Sequence, residues 1–494
     1  MLANAYKLNL LTKYNFVIPY FMDKQETQYE NSIYAQELKN RLDNNENIII
    51  FDIRSKHEYE LGHIPKSAFA VCNSQTQNQI LPKLPKDSKI VLVSDHDQHS
   101  SKMVLFMKST GLDAVYLKDG ISSWKWELEK TQDEDITATE LKSKLDEKQN
   151  LLLIDVRESE EYSEWHIAGS INIPLSQVGK QDSLRKIPQN SEVVTICARG
   201  NRSKVAKFVL AGNGIPAKSL EGGMESWTIA FETAKKMYTI NGKKITVVQV
   251  RRIGKGCMSY MVSSQDKAIV VDPVFPYDEY TKIAKENNWK ITRVYDTHQH
   301  ADHVSAAKSL AEKSGAILNL SAYENYNFSN EPTHDSQEHT IGEMTLKVIH
   351  TPGHTNGSLS FLIEDELLLS GDTLFVDGVG RPDLRDEAEQ FAPVLYDTLH
   401  KKLLVLSGKI HVFPAHGNTN QKDQLTSKLQ DLIKQIPFLK MSKEDFVKQI
   451  LSTVMPTPSN HTAIIEINKN GKISNSAEAN SLEIGPNRCS ITGK

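Results

Sequence analysis

Apolar positions fall into two regimes along the 494-residue chain. In the first 230 or so residues, apolar runs alternate with helical spacing. A helical pattern at about 32–43 precedes IIIFD (48–52), and another at 138–147 precedes LLLID (151–155). A second apolar run in each stretch, KIVLV (89–93) and EVVTI (192–196), leads through a loop into a further helical pattern. Strands alternating with helices predict a parallel sheet with crossovers, whose ligands sit beyond the carboxyl ends of the strands. From Ile245 onward short β runs follow closely: ITVVQVRRI, CMSYMVSS, AIVVDPV, ITRVYDTH, TLKVIHTP, SLSFLIE, ELLLSGD and KIHVFPAH. Helices are expected between them at about 278–287, 304–314, 388–404 and 421–434. The fold class is α/β, with two α/β domains followed by a β-rich sandwich.

The first two stretches are copies of one another. IIIFDIRSKHEYELGHIPKSA (48–68) aligns with LLLIDVRESEEYSEWHIAGSI (151–171) at an offset of 103 residues. Asp52 pairs with Asp155, Arg54 with Arg157, Tyr59 with Tyr162, and His63 with His166. The register holds without a gap to Gly111/Gly214, Gly120/Gly223 and Trp124/Trp227. Such self-similarity marks a duplicated domain. The expected organisation is a tail (1–24), a first copy (25–130), a second copy (131–236) and a third domain (243–494), with KKMYTINGKK (235–244) as the boundary. The segment ahead of Asp23 has Lys7 and Lys13 but no acid, and polar residues interrupt its apolar ones. It has no signal-peptide core and is expected to be a tail, or the product of a start upstream of Met22.

Composition removes several function classes. Lys plus Arg is 58 and Asp plus Glu is 62, a formal charge of −4, which leaves no basic footprint for nucleic acid or an anionic membrane. No apolar run approaches the roughly 20 residues a membrane span needs. Four scattered cysteines (Cys72, Cys197, Cys257, Cys489) are too few for a disulfide framework, so a reducing, cytoplasmic location is expected.

Cys197 directly follows EVVTI and opens CARGNRS. An isolated cysteine at a strand end is usually a buried core thiol. Here a helix N-terminus follows, and Arg199 and Arg202 lie nearby; both features stabilise a thiolate. Gly200 lets backbone N–H groups curl inward as an anion nest. These residues, with the D-x-R and H-x-x-G-S-x-N-I-P segments (Asp155, Arg157, His166, Gly169, Asn172, Pro174), resemble the rhodanese sulfurtransferases. The resemblance implies that Cys197 carries a persulfide sulfur, and that Arg199 and Arg202 hold the anionic donor or acceptor. In the first copy the loop reads SDHDQHS, with Ser94 at the cysteine position and His99 at that of Arg202. A serine hydroxyl cannot carry a persulfide, and Asp95 and Asp97 repel an anionic donor. The first copy is therefore expected to be catalytically silent.

Histidine is concentrated in the third domain: ten of the 16 lie between His298 and His416. THQHADH offers His298, His300, Asp302 and His303; TPGHT offers His354, SGDTLF Asp372 and PAHG His416. Seven donors at the ends of successive strands point to metal. Asp302 and His303 are placed at a helix start. The H-x-H-x-D-H constellation resembles the metallo-β-lactamase superfamily, whose fold sandwiches two mixed sheets between helices. Within it GCMSYMV, TPGHTNGSLSF, SGDTLFVDGVGRPDL and MPTPSNHTAIIEIN are similar to the persulfide dioxygenases fused to rhodanese modules.

That likeness implies one Fe(II) on His298, His354 and Asp372, a facial triad with open positions for substrate and O₂. His300, Asp302, His303 and His416 then orient the ligands or hold a second metal, and Arg381 binds the carboxylate of the thiol carrier. The implied reaction converts a small thiol persulfide to sulfite with O₂, coupled to sulfur transfer with thiosulfate or sulfite at Cys197. A homo-oligomer, a dimer, is expected. The complete donor set also admits two Zn and a glyoxalase-II-type thioester hydrolase, and a third alternative is a non-enzymatic sulfur relay. Cys257, flanked by Met258 and Met261, reads as a core thiol, Cys72 as buried behind the first D-x-R strand, and Cys489 as structural.

Overall fold

The computed structural model describes residues 31–44, 46, 48–70, 83–84, 86, 88–130, 135–188, 190–382, 387–417, 423–453, 460–472, 479, 482–483 and 490–492. Cys72, Cys489 and the 1–24 tail lie outside them. The chain divides into two compact units, Met1–Asp133 and Glu134–Lys494.

The first unit holds a five-stranded sheet in the order Ser32–Ile33, Ala114–Leu117, Lys89–Val93, Ile48–Asp52, Ser67–Phe69. Every pairing in it is parallel. Ile50, Val91, Val93, Leu117, Leu38 and Trp124 form its core. The D-x-R triplet is architectural. Arg54 Nε and Nη2 donate to the Asp52 carboxylate at 3.0 and 2.6 Å, and Nη2 also reaches the Gly62 carbonyl at 2.7 Å.

The second unit opens with the second copy, a parallel sheet ordered Ile171–Asn172, Leu151–Asp155, Glu192–Ile196, Ala217–Ser219. Its repeat positions do the same work. Arg157 holds Asp155 at 3.0 and 2.7 Å and the Trp165 carbonyl at 2.6 Å. His166 stacks on Tyr162 as His63 does on Tyr59.

A two-sheet sandwich follows. One sheet runs Phe231–Ile240, Lys243–Arg252, Met258–Ser264, Lys267–Val271, Lys290–Tyr295, Ile317–Ser321, Glu331–Thr333. The other runs Glu338–Ile341, Met344–His350, Leu359–Ile363, Leu367–Gly371, His411–Pro414, Ser427–Lys428. Both mix antiparallel and parallel pairs. Val247, Tyr260, Ile269, Leu346, Phe361, Leu369 and Phe413 fill the space between them. Helices Asp278–Glu286 and Ala307–Ser314 cover the first sheet, and Ala388–Thr398, Leu429–Gln435 and Lys443–Ser452 the second. This is the α/β architecture expected from the sequence.

Three local expectations change. The stretch 235–244 is a hairpin, not a boundary: Phe231–Ile240 pairs along its full length with Lys243–Arg252. Its Asn241-Gly242 turn has φ of 50° and 81°, the conformation two-residue hairpins favour. Lysines on this exposed edge strand give it the polarity of a linker. The helix expected from 304 starts at Ala307. Before it, the N–H groups of Val304 and Ser305 donate to Glu483 and Asn468 side chains at 2.7 and 2.9 Å. The helix expected over 421–434 begins at Leu429, after Ser427–Lys428 pairs with the strand leading to His416.

Candidate metal centre and sulfur loop

Four strand ends converge. Leu367–Gly371 and His411–Pro414 are parallel, and Met344–His350 runs in their direction through an antiparallel neighbour. Their carboxyl ends deliver Asp372, His416 and His354 to one edge of their sheet, and Lys290–Tyr295 delivers His298 from the other sheet. All four residues are buried.

His298 Nε2 and His354 Nε2 lie 3.9 and 3.4 Å from Asp372 Oδ2, and the three atoms sit within 4.8 Å of one another. None of these three buried atoms has a hydrogen-bond partner among the described residues. Buried polar atoms are normally satisfied, so a convergent unsatisfied trio marks a place for a cation. Cis donors on metal bonds of about 2.1 Å stand about 3 Å apart, close to what is present here.

The opposite faces of the ligands are fixed. His354 Nδ1 donates to the Arg381 carbonyl at 2.8 Å. That oxygen only accepts, so Nδ1 carries the hydrogen and Nε2 keeps its lone pair. Thr297 Oγ1 donates to Asp272 Oδ2 at 2.9 Å and accepts from His298 Nδ1 at 2.9 Å, which sets the same tautomer. His416 Nδ1 donates to Asp372 Oδ1 at 2.6 Å and leaves Oδ2 free. Burial holds His354 below its ordinary pKa and His298 well below, so both imidazoles are neutral. Burial pushes Asp372 up, but the charge and the hydrogen bond of His416 together outweigh it and keep the carboxyl low. Two neutral imidazoles and one carboxylate fit a single divalent ion of the facial-triad type.

The other expected donors engage one another. His416 Nε2 donates to Asp302 Oδ2 at 3.0 Å, and His303 Nδ1 donates to Asp302 Oδ1 at 3.1 Å. His300 Nε2 donates to Asp272 at 3.1 Å. Among the described residues, His300 Nδ1 and His303 Nε2 have no hydrogen-bond partner. Asp302 and His303 lie in a bend ahead of the helix rather than at its start. Arg381 is 2% exposed, and its carbonyl accepts from His354 Nδ1.

Three participants escaped the sequence analysis. Cys257 Sγ lies 3.4 Å from Asp302 Oδ2 and groups with Asp302, His303 and His416. Burial and Asp302 push its thiol up, but His416 and His303 outweigh them and bring it down to about 7. Asp272 and Thr297 form the chain behind His298. An acid at the end of the apolar run AIVVD was the available signal for Asp272, since Asp372 follows its own strand in the same way.

The CARGNRS loop lies in the second copy. Cys197 is buried between strand Glu192–Ile196 and helix Asn201–Gly212. Gly200, at φ +87°, turns its N–H onto Cys197 Sγ at 3.1 Å, and Ser203 Oγ donates to the same sulfur at 3.4 Å. Arg202 meets Glu161 through two bonds of 2.7 and 2.8 Å, and Arg199 meets Glu225 at 3.0 Å. Both arginines thus have carboxylate partners, so the loop is closer to charge-neutral than CARGNRS alone implies. In the first copy Ser94 Oγ donates to the His96 carbonyl and lies 2.9 Å from Ser100 Oγ, and Asp97 pairs with Lys118 at 2.8 Å.

Comparison with known proteins follows this division. The Rhodanese-like domain profile matches residues 34–127 and 137–230, and the Metallo-beta-lactamase superfamily profile matches 252–425. The mitochondrial persulfide dioxygenase ETHE1 of Bos taurus is 26% identical over 212 residues, 41% of this chain and 80% of that protein. The hydroxyacylglutathione hydrolase of Francisella philomiragia is 34% identical over 159 residues, 32% of this chain and 61% of that protein. The crystal structure of ETHE1 from Myxococcus xanthus has 27% identity and a TM-score of 0.42, over 45% of this chain and 97% of that one. No helix among the described residues is long and apolar enough to cross a membrane. The chain carries two rhodanese-like domains followed by a domain of the metallo-beta-lactamase superfamily.

Proposed function

We propose that this protein is a persulfide dioxygenase coupled to a sulfurtransferase. The observation that carries the proposal is the unsatisfied trio His298 Nε2, His354 Nε2 and Asp372 Oδ2. Beside it, Asp302, His303, His416 and Cys257 are linked to one another. The bond between Asp302 and His416 supports one ion on the trio, while His300 Nδ1 and His303 Nε2, also without partners among the described residues, are the atoms that a second ion would take. Fe(II), the proposed ion, would be held by His298, His354 and Asp372 and would supply the redox chemistry that activates dioxygen. The overall change balances as persulfide RSSH plus O₂ plus H₂O giving RSH, sulfite and two protons.

The chain's own residues do the remaining work. Arg381 and the Thr297–Asp272 pair hold the two imidazoles in the ligating tautomer. His416, bonded through both ring nitrogens to Asp372 and Asp302, holds a proton beside the ligand carboxylate. In the second copy the Cys197 thiolate takes the outer sulfur of a thiol persulfide or thiosulfate as a persulfide, and the broken S–S bond releases the thiol or sulfite. The Gly200 N–H and Ser203 hydroxyl stabilise its thiolate. The first copy carries Ser94 there and transfers no sulfur. The relationship to the bovine persulfide dioxygenase supports this function.

The relationship to hydroxyacylglutathione hydrolase supports the rival, a two-zinc thioester hydrolase. Anaerobically purified protein assayed with glutathione persulfide and with a glutathione thioester separates the two. Oxygen uptake with sulfite release is expected, and thioester hydrolysis without oxygen uptake would sink the proposal.

A further inference from the structure

The six-residue turn Arg252–Cys257, RIGKGC, touches both chemistries of the second unit. Ile253 is buried in the apolar core of the second rhodanese-like domain with Leu153, Ile196, Met224 and Trp227, and its N–H donates to the Ala230 carbonyl at 2.9 Å. Gly254 lies flat on Trp227: an added Cβ would stand 2.5 Å from the indole Cδ1 and 2.6 Å from the Trp227 carbonyl. The next residue, Lys255, turns the other way. Its buried ammonium donates to the backbone carbonyls of Asp302 and Glu483, the second at 3.0 Å. Gly256 (φ +72°) rests against the Gly417 carbonyl, 2.6 Å from where a Cβ would be, and Cys257 bridges His416.

A lysine is costly to bury, and here it meets carbonyl oxygens rather than a carboxylate. One of those oxygens belongs to the segment that carries His300, Asp302 and His303. The other side of that segment is held by Asn468, whose Nδ2 donates to the His300 and His303 carbonyls at 2.9 Å each. The backbone of the ligand-bearing segment is therefore pinned from helix His461–Asn470 and from a turn rooted in the rhodanese core.

We propose that Lys255 is a positioning residue for the metal centre, and that through its turn the second rhodanese-like domain is a structural part of that centre rather than a separable module. The proposal rests on the assignment of His298, His354 and Asp372 as metal ligands. Lys255 touches none of them; it acts on the segment that follows His298. Groups that orient metal ligands from behind change affinity roughly ten- to a hundredfold when removed.

The test uses the full chain loaded with Co(II), with the dissociation constant read by chelator competition and the site geometry by its visible absorption. Thiosulfate sulfurtransfer by Cys197 reports the fold of the rhodanese-like domain. Lys255→Met is expected to weaken Co(II) binding at least roughly tenfold and to change its spectrum, with sulfur transfer within about twofold of the parent. Lys255→Arg, which keeps a cationic donor, should recover most of the affinity. Gly254→Ala, which acts from the Trp227 side, should weaken metal binding as well. Unchanged Co(II) affinity in Lys255→Met overturns the proposal. So does a loss that Lys255→Arg fails to relieve or that sulfur transfer follows in step, since either marks a general folding defect. A parent protein that binds no Co(II) would instead overturn the ligand assignment.

Discussion

Replacing Thr297 by Val keeps the shape of a buried side chain and removes one hydroxyl, and two groups lose their partner at once. Thr297 Oγ1 donates to Asp272 Oδ2 at 2.9 Å and accepts from His298 Nδ1 at 2.9 Å. The backbone bond from Thr297 N–H to Asp272 Oδ1, at 2.6 Å, survives the change, so the strand end keeps its place. His298 then has no acceptor holding its hydrogen on Nδ1. A buried group left unsatisfied costs about 1–3 kcal/mol. Charged to metal binding at about 1.4 kcal/mol per tenfold, that is a loss of roughly five- to 150-fold in affinity. Metal affinity by chelator competition is the assay, with Thr297→Ser as the variant that keeps the hydroxyl. The expected order is parent, then Ser close behind, then Val at least about fivefold weaker. If Val binds metal within about twofold of the parent, Thr297 does not set the His298 tautomer and the account of that ligand is wrong.

Other expectations are simpler. Cys197→Ser should abolish sulfur transfer from thiosulfate while leaving oxygen uptake on glutathione persulfide near the parent rate; joint loss would contradict two separate sites. Ser94→Cys in a Cys197→Ser background should restore no sulfur transfer, because Asp95 and Asp97 flank the new thiol, and measurable turnover there would show that the first copy is silent only for want of a thiol. Arg157→Ala strands the buried Asp155 carboxylate and should destabilise the second copy by about 3–5 kcal/mol in urea unfolding; a change under about 1 kcal/mol would mean the pair is not structural. Asp372→Ala should end metal binding and oxygen uptake and spare sulfur transfer.

The parts legible in the sequence were those encoded locally. The offset between the two copies, the strand-end placement of Cys197 and the H-x-H-x-D-H spacing each lie within a short window, and in each the residue types carry the chemistry. What escaped depends on partners far apart in the chain. Arg202 and Arg199 find Glu161 and Glu225, residues no local pattern could assign to them. Recurrence of Glu161 at Glu58 in the first copy was the one available hint. Cys257 reads as core because methionines follow it, yet Gly256 at φ +72° turns the chain and sets the thiol beside Asp302. The hairpin Phe231–Arg252 hid behind the lysines of an exposed edge strand. Asn468 closes the MPTPSNHTAIIEIN segment, but nothing local says that its side chain holds the His300 and His303 carbonyls, and Lys255 likewise holds carbonyls distant in the chain.

The central claim is one iron on His298, His354 and Asp372 serving persulfide oxidation. Metal content and oxygen consumption of the same anaerobically purified full-length sample test it most directly. One iron per chain is expected, with one sulfite formed per O₂ consumed on glutathione persulfide. Two zinc ions per chain, with thioester hydrolysis and no oxygen uptake, would contradict it.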